Sequence, residues 1–173
     1  MKNYCDYFCG KKITVMGLGV LGRGVNVAKF LAECGADLII TDLKNEKELE
    51  SSLKKLKKFK NLKYVLGKHN IADFKDKDMI IKAGGVPLNS PYIVEAKKNG
   101  IAIEMDESFF VKLAIGVIII GVTGTKGKSM TTRLIFEILK SQKNILGKKR
   151  NVFLGGNVKG QATLPLLKKI KSG

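Results

Sequence analysis

The chain has 173 residues, 45% of them apolar and with mean hydropathy +0.01, enough for one good core or for one domain and part of another. Its 32 basic against 15 acidic residues leave a net charge of +17, which invites a nucleic-acid reading. Only Arg23, Arg133 and Arg150 are arginines, and the lysines are scattered without the aromatics of a stacking platform, so nucleic acid is excluded as the expected partner and the charge is read as solvated faces.

The N-terminal segment Met1–Gly10 lacks the apolar centre of a signal peptide. No later apolar run reaches the ~18–20 residues that span a bilayer, the longest being the ten of Leu113–Val122. No membrane partner is expected, and the cytoplasm is the expected compartment. Cys5, Cys9 and Cys34 form an odd set, with the only histidine, His69, far off in sequence, so three reduced thiols are expected.

Ile13–Met16 reads as a short strand, followed by Gly17-Leu-Gly-Val-Leu-Gly22. Leu21, Val25, Ala28 and Ala32 then recur at helical spacing up to Gly35, a C-cap candidate. Leu38–Thr41 is a second strand ending at Asp42, and Leu49, Leu53 and Leu56 line a helix that is read as packing only. Leu62–Leu66 and Met79–Ile81 are further strands flanking a loop around His69. Ser90–Asn99 reads as a helix with Pro91 at its first position, and Ile101–Glu104 as a strand. Alternating strands and helices imply an α/β fold, a parallel sheet covered on both faces.

Asp106–Lys112 reads as a helical connector into a second unit. That unit opens with a strand over Ile115–Val122, then a glycine-rich turn and a helix over Lys128–Lys140. Lys143–Arg150 leads to Val152–Leu154 and Gly155-Gly-Asn157, and Leu164–Ile170 begins another helix. Two domains are expected, a Rossmann-like one over 1–112 and, over 113–173, the incomplete start of a P-loop α/β ATPase domain.

Gly17, Gly19 and Gly22 form G-x-G-x-x-G between a strand and a helix, and Asp42 follows Gly22 by 20 residues at the end of the next strand. That is the dinucleotide fingerprint. An NAD-type site, a turn without ligand and another nucleotide-like ligand all fit it, and nothing in the motif selects nicotinamide. The second loop, Gly121-Val-Thr-Gly-Thr-Lys-Gly-Lys-Ser-Met-Thr-Thr132, is more specific. Glycines let backbone N–H groups converge on an anion at a helix N-terminus. Lys128 is placed to reach the β- and γ-phosphates of ATP, and the Ser129 hydroxyl to bind Mg²⁺. A generic P-loop has glycine where this one has Val122.

Thr123-Gly-Thr-Lys-Gly-Lys-Ser129 resembles the ATP loop of the Mur ligases, cytoplasmic enzymes that build the peptidoglycan peptide. Gly17–Gly22, Ile40-Thr-Asp-Leu-Lys44, Lys82-Ala-Gly-Gly-Val-Pro-Leu-Asn-Ser-Pro91 and Gly155-Gly-Asn157 stand in the order found in the branch that adds D-glutamate. The resemblance covers the family's first domain and the opening of its central ATPase domain. It implies ATP-dependent joining of D-glutamate to UDP-N-acetylmuramoyl-L-alanine through an acyl phosphate, with Mg²⁺ as cofactor; separately from the resemblance, a monomer is expected.

By the same resemblance the first domain binds UDP rather than NAD. Gly19, Val20 and Leu21 match the loop beside the diphosphate, and Asp42, Leu43 and Lys44 the segment at the uracil. Gly84 and Gly85 match a turn near the phosphates, and Asn157 an asparagine reaching the substrate. Gly124, Thr125, Lys126, Gly127, Lys128, Ser129 and Met130 match the ATP loop, with Lys128 as the catalytic cation and Ser129 on the metal. The sequence departs from the family pattern in Leu21 for a hydroxyl residue, Ala83-Gly84 for Ser-Pro, Met130 for threonine and Lys159 for glycine. The family's further metal ligands, its modified lysine and its third domain lie beyond Gly173. The chain alone is therefore expected to bind nucleotide without turning over.

Overall fold

The computed structural model describes residues 4–143, 147, 151–156 and 162–170. Five strands form one sheet: β1 (Lys12–Met16), β2 (Asp37–Asp42), β3 (Leu62–Leu66), β4 (Met79–Lys82) and β5 (Ala102–Glu104). All pairings are parallel and the spatial order is β3-β2-β1-β4-β5. The chain thus winds outward from β1 in one direction and then in the other, a Rossmann-like α/β arrangement. The five strands expected before residue 105 all form, with edges shifted by a residue at most.

Helix α1 (Tyr4–Phe8) precedes the sheet and was not foreseen; five residues are too few to show a period. Its Phe8 is fully buried against Phe30 and Phe109. The structure pairs Cys5 with Cys34 in a disulfide and leaves Cys9 free, which corrects the expectation of three thiols. Sequence separation hid the pair, because only the packing of α1 on α2 brings the two cysteines to a Cα–Cα distance of 4.5 Å.

Helix α2 (Arg23–Glu33) buries Val25, Ala28 and Ala32 as their spacing requires, and Gly35 takes the left-handed conformation after its last turn. Leu21 is not on that face. It lies ahead of the helix, in the loop, and is 65% exposed. Helix α3 (Glu46–Lys54) starts at a capping box, in which Asn45 and Glu48 each accept the other's backbone N–H. A short 3-10 turn follows β3 at Ile71–Phe74, and α4 (Pro91–Lys98) has proline at its first position. Two apolar clusters flank the sheet, one built on α1, α2 and α5, the other on Ile80, Phe74 and Ile93.

The connector forms as α5 (Asp106–Leu113), but it is more than a connector, since Phe109 and Phe110 enter the main core. Ile115–Val122 is not a strand. No neighbouring strand pairs with it among the described residues, and Ile118 is 93% exposed. An apolar run becomes a strand only where a ladder partner takes its N–H and C=O groups. Helix α6 (Lys128–Ser141) follows as expected, with no residue of it buried. Val152–Leu154 belongs to no ladder. The expected last helix is a 3-10 helix, Leu164–Lys169, which buries Leu164 and Leu167 in the core cluster that holds α2 and α5.

Candidate functional site

The C-terminal ends of β1 and β4 meet where the strand order reverses, the place at which open α/β sheets form a crevice. The first loop leaves β1 at Gly17, whose N–H donates to Thr41 O (2.8 Å). Ala83 N–H donates to Met16 O (2.8 Å), so the turn after β4 abuts this loop. A Cβ on Gly17 would lie 2.8 Å from Ala83 Cβ, and Gly17 has φ +97°, so the position requires glycine twice over. Close helix approach falls to Gly24: a Cβ there would lie 2.3 Å from Leu18 O and 2.7 Å from Gly17 O. The spacing rule missed Gly24, because the rule assigns helix packing to Gly22, which instead turns the chain into α2 at φ 87°.

Asp42, buried at the end of β2, accepts Gly19 N–H on Oδ2 (2.8 Å) and Lys44 N–H on Oδ1 (2.9 Å). One carboxylate therefore ties the glycine loop to the 42–44 segment. The far side of the loop is braced by α3, whose Ser52 hydroxyl donates to Gly19 O (2.8 Å). This role was not legible in a helix read as packing only; a serine among leucines on the inward face was the available signal. Val20, Leu21, Leu43 and Leu88 stand exposed around these loops, an apolar rim beside backbone donors.

The 67–69 turn is fastened to the same segment. Gly67 N–H donates to Lys44 O (2.9 Å), the Thr41 hydroxyl to Lys68 O (3.2 Å), and His69 Nδ1 lies 2.6 Å from Thr41 Oγ1. Both Thr41 contacts are satisfied together when Nδ1 carries the imidazole proton. The ring meets Tyr92 and Phe74 edge-on, and burial pushes its pKa below the ordinary value against the pull of Asp42 and Asp73. Gly84 and Gly85 are exposed in the turn after β4, with open space around them.

The structure thus brings together Gly19, Val20, Leu21, Asp42, Leu43, Lys44, Gly84 and Gly85 at one end of the sheet. Asn157 lies outside the described residues. The second loop turns into α6 through Gly124 (φ 146°) and Gly127 (φ 77°). The Lys128 ammonium folds back over it onto the carbonyls of Gly124 and Thr125. Thr125, Lys126, Ser129 and Met130 are exposed. Two concavities lie elsewhere. One of about 390 Å³ is at the N-terminal ends of β1 and β2, around Lys12 and Asp37. The other, of about 490 Å³, lies among Asn26, Arg133, Phe136 and Leu166.

Residues 11–104, which hold all five strands, match the model of the "Mur ligase MurD-like, N-terminal domain" family. That is more than half of the chain. The chain belongs to the MurD-like Mur ligase family. Among curated relatives of this family, a UDP-N-acetylmuramoylalanine–D-glutamate ligase of Borreliella burgdorferi (strain ZS7) is 43% identical over 145 residues, 83% of this chain and 30% of the relative. The ligase of the same name from Roseiflexus sp. (strain RS-1) is 44% identical over 133 residues, 77% of this chain and 28% of the relative. That of Clostridioides difficile (strain 630) is 37% identical over 149 residues, 86% and 31%. The MurD-like chain therefore spans about a third of the length of these relatives. No helix among its described residues is long and apolar enough to cross a membrane.

Proposed function

We propose that this chain is the nucleotide-substrate-binding part of a ligase that joins D-glutamate to UDP-N-acetylmuramoyl-L-alanine with ATP, in peptidoglycan precursor synthesis. The observation that carries the reading is the Asp42 carboxylate, each oxygen of which already accepts a backbone N–H. It acts as a brace that ties the glycine loop to the Leu43–Lys44 segment and presents that segment at the crevice. The names of the relatives point the same way.

In this reading Gly19, Val20 and Leu21 receive the diphosphate, and Asp42, Leu43 and Lys44 the uracil end. Gly84 and Gly85 let the β4 turn approach the phosphates, and Asn157 adds a polar contact. Residues 1–112 form the UDP domain and 113–173 the opening of the ATP domain. The residues of the second loop fit ATP and Mg²⁺: two glycines with positive φ, a lysine over the loop and an exposed serine at the first turn of α6. Gly124–Met130 would hold the triphosphate, with Ser129 as a metal ligand. Bound Mg²⁺ supplies charge neutralisation. Lys128 offsets the repulsion between a substrate carboxylate and the phosphates, which is what forming an acyl phosphate demands. The protein works as a cytoplasmic monomer.

Calorimetry of the 173-residue chain with UDP-N-acetylmuramoyl-L-alanine and with NADH tests the first site. Binding of the UDP compound alone is expected, whereas tight NADH binding without a response to the UDP compound refutes the reading in favour of a dehydrogenase-like module. In a full-length ligase carrying these residues, Lys128→Ala is expected to abolish turnover with UDP-substrate affinity nearly intact. Equal loss of both would mean that the two loops do not serve two ligands.

A further inference from the structure

Lys82 is the last residue of β4, in register with Met16 at the point where the strand order reverses. Only 7% of it is exposed. Its ammonium donates to Val86 O (2.8 Å), and no carboxylate forms an ion pair with it among the described residues. One carbonyl serves one of three N–H groups. A lysine buried without a counter-charge is costly, and proteins retain such a group where an anion completes it.

The surroundings say which anion. Val86 N–H donates to Ala83 O (3.0 Å), so Lys82 closes a turn whose exposed tip is Gly84-Gly85. Ala83 in turn touches Gly17 of the first loop and is bonded to Met16. The acid of the crevice loops, Asp42, directs its oxygens to the N–H groups of Gly19 and Lys44 and forms no ion pair with Lys82. The crevice therefore offers a cation beside the glycine turns, with no carboxylate ion-paired to it among the described residues. We infer that Lys82 is a binding residue of the crevice, the counter-charge for the diphosphate of a uridine nucleotide. The inference rests on the UDP reading above.

The test compares wild type, Lys82→Met and Lys82→Arg with two probes. UDP is measured by calorimetry, and uridine, which lacks the phosphates, by amide shift titration, which reads millimolar affinities. Lys82→Met is expected to weaken UDP by on the order of tenfold or more, the worth of a charge-assisted contact, and to leave uridine unchanged. Lys82→Arg is expected to recover most of the loss, and Lys82→Met to melt close to wild type. Parallel weakening of UDP and uridine, unchanged UDP affinity, or a Lys82→Met chain that does not fold would each make Lys82 a turn cap and overturn the inference. Failure of the UDP reading is distinguishable, because it appears as wild type that does not bind UDP.

Discussion

Asp42 stabilises two backbone donors at once, and its value lies in what happens to them without it. Asp42→Ala leaves the N–H groups of Gly19 and Lys44 without their acceptor. An orphaned donor near the interior costs about 1–3 kcal/mol. Gly19 is then held only through Ser52 on its carbonyl, so urea denaturation is expected to show a loss of that order and UDP affinity to fall with it. Unchanged stability would mean that the carboxylate does not organise the loop. His69 makes a second prediction, with a sign set by its burial. Its folded pKa lies below the ordinary 6.5, so folding favours the neutral ring. That contribution is fully present above the unfolded value and is lost as pH falls toward the folded one, because the unfolded chain takes up the proton first. As the only histidine it can be followed without assignment, and its imidazole shifts are expected to titrate with a midpoint below 6.5. The slope of melting temperature between about pH 7.5 and 5.5 is expected to flatten in His69→Phe, which keeps a ring against Tyr92 and Phe74. An identical slope in both chains would contradict it.

At the scale of elements, the most constrained junction is that between the first loop and α2. Gly24 sits within the helix, so no left-handed backbone accounts for it; the space does. A methyl group there would meet backbone carbonyls at 2.3 and 2.7 Å, and backbone cannot swing aside as a side-chain tip can. Gly24→Ala is expected to destabilise by about 2–4 kcal/mol, read by urea denaturation, although alanine is the better helix former. A neutral or stabilising result would show that α2 can slide off the sheet. The same junction marks how far the sequence was legible. Short apolar runs between glycines and charges located β1 to β5; the rule that a parallel strand buried on both faces is largely apolar holds for the central β1 and β4, while the edge strands β3 and β5 are only partly buried. The same criterion misplaced Ile115–Val122, since apolar composition cannot report whether a neighbouring strand exists. Gly17, Gly19 and Asp42 were readable because their spacing follows from loop geometry. Ser52, Gly24, Lys82 and the Cys5–Cys34 bond were not, since each depends on contacts between segments that no local pattern encodes.

At the scale of the whole molecule, the backbone of the described tail is held to the sheet domain by one carboxylate, beside an ion pair of Lys168 with Glu33. Asp106, 3% exposed at the start of α5, accepts Thr163 N–H (2.7 Å), the Thr163 hydroxyl (3.0 Å) and Leu164 N–H (2.8 Å), and Arg23 Nε lies 3.3 Å away. A carboxylate taking the first amides of a helix acts as its cap, here across more than fifty residues of chain. The arginine comes from the first turn of α2, so the tail, the connector and the glycine-loop helix share a single charged node. Leu164 and Leu167 bury their side chains beside it, worth about 1.5–3 kcal/mol each while they stay docked. That gain is available only if the backbone at 163–164 is satisfied. Asp106→Ala is therefore expected to release the tail as a unit: amide exchange at Thr163 and Leu164 rises to that of exposed chain, and stability falls by about 2–4 kcal/mol. Asp106→Asn keeps one acceptor oxygen and is expected to lie between the two. Arg23 retains Glu107 as a partner in either variant, so α2 and its loop are expected to keep their exchange protection. If loop protection collapses together with the tail, the node holds the sheet domain itself, and the docking of residues 162–170 is a consequence of that fold instead of a separate attachment.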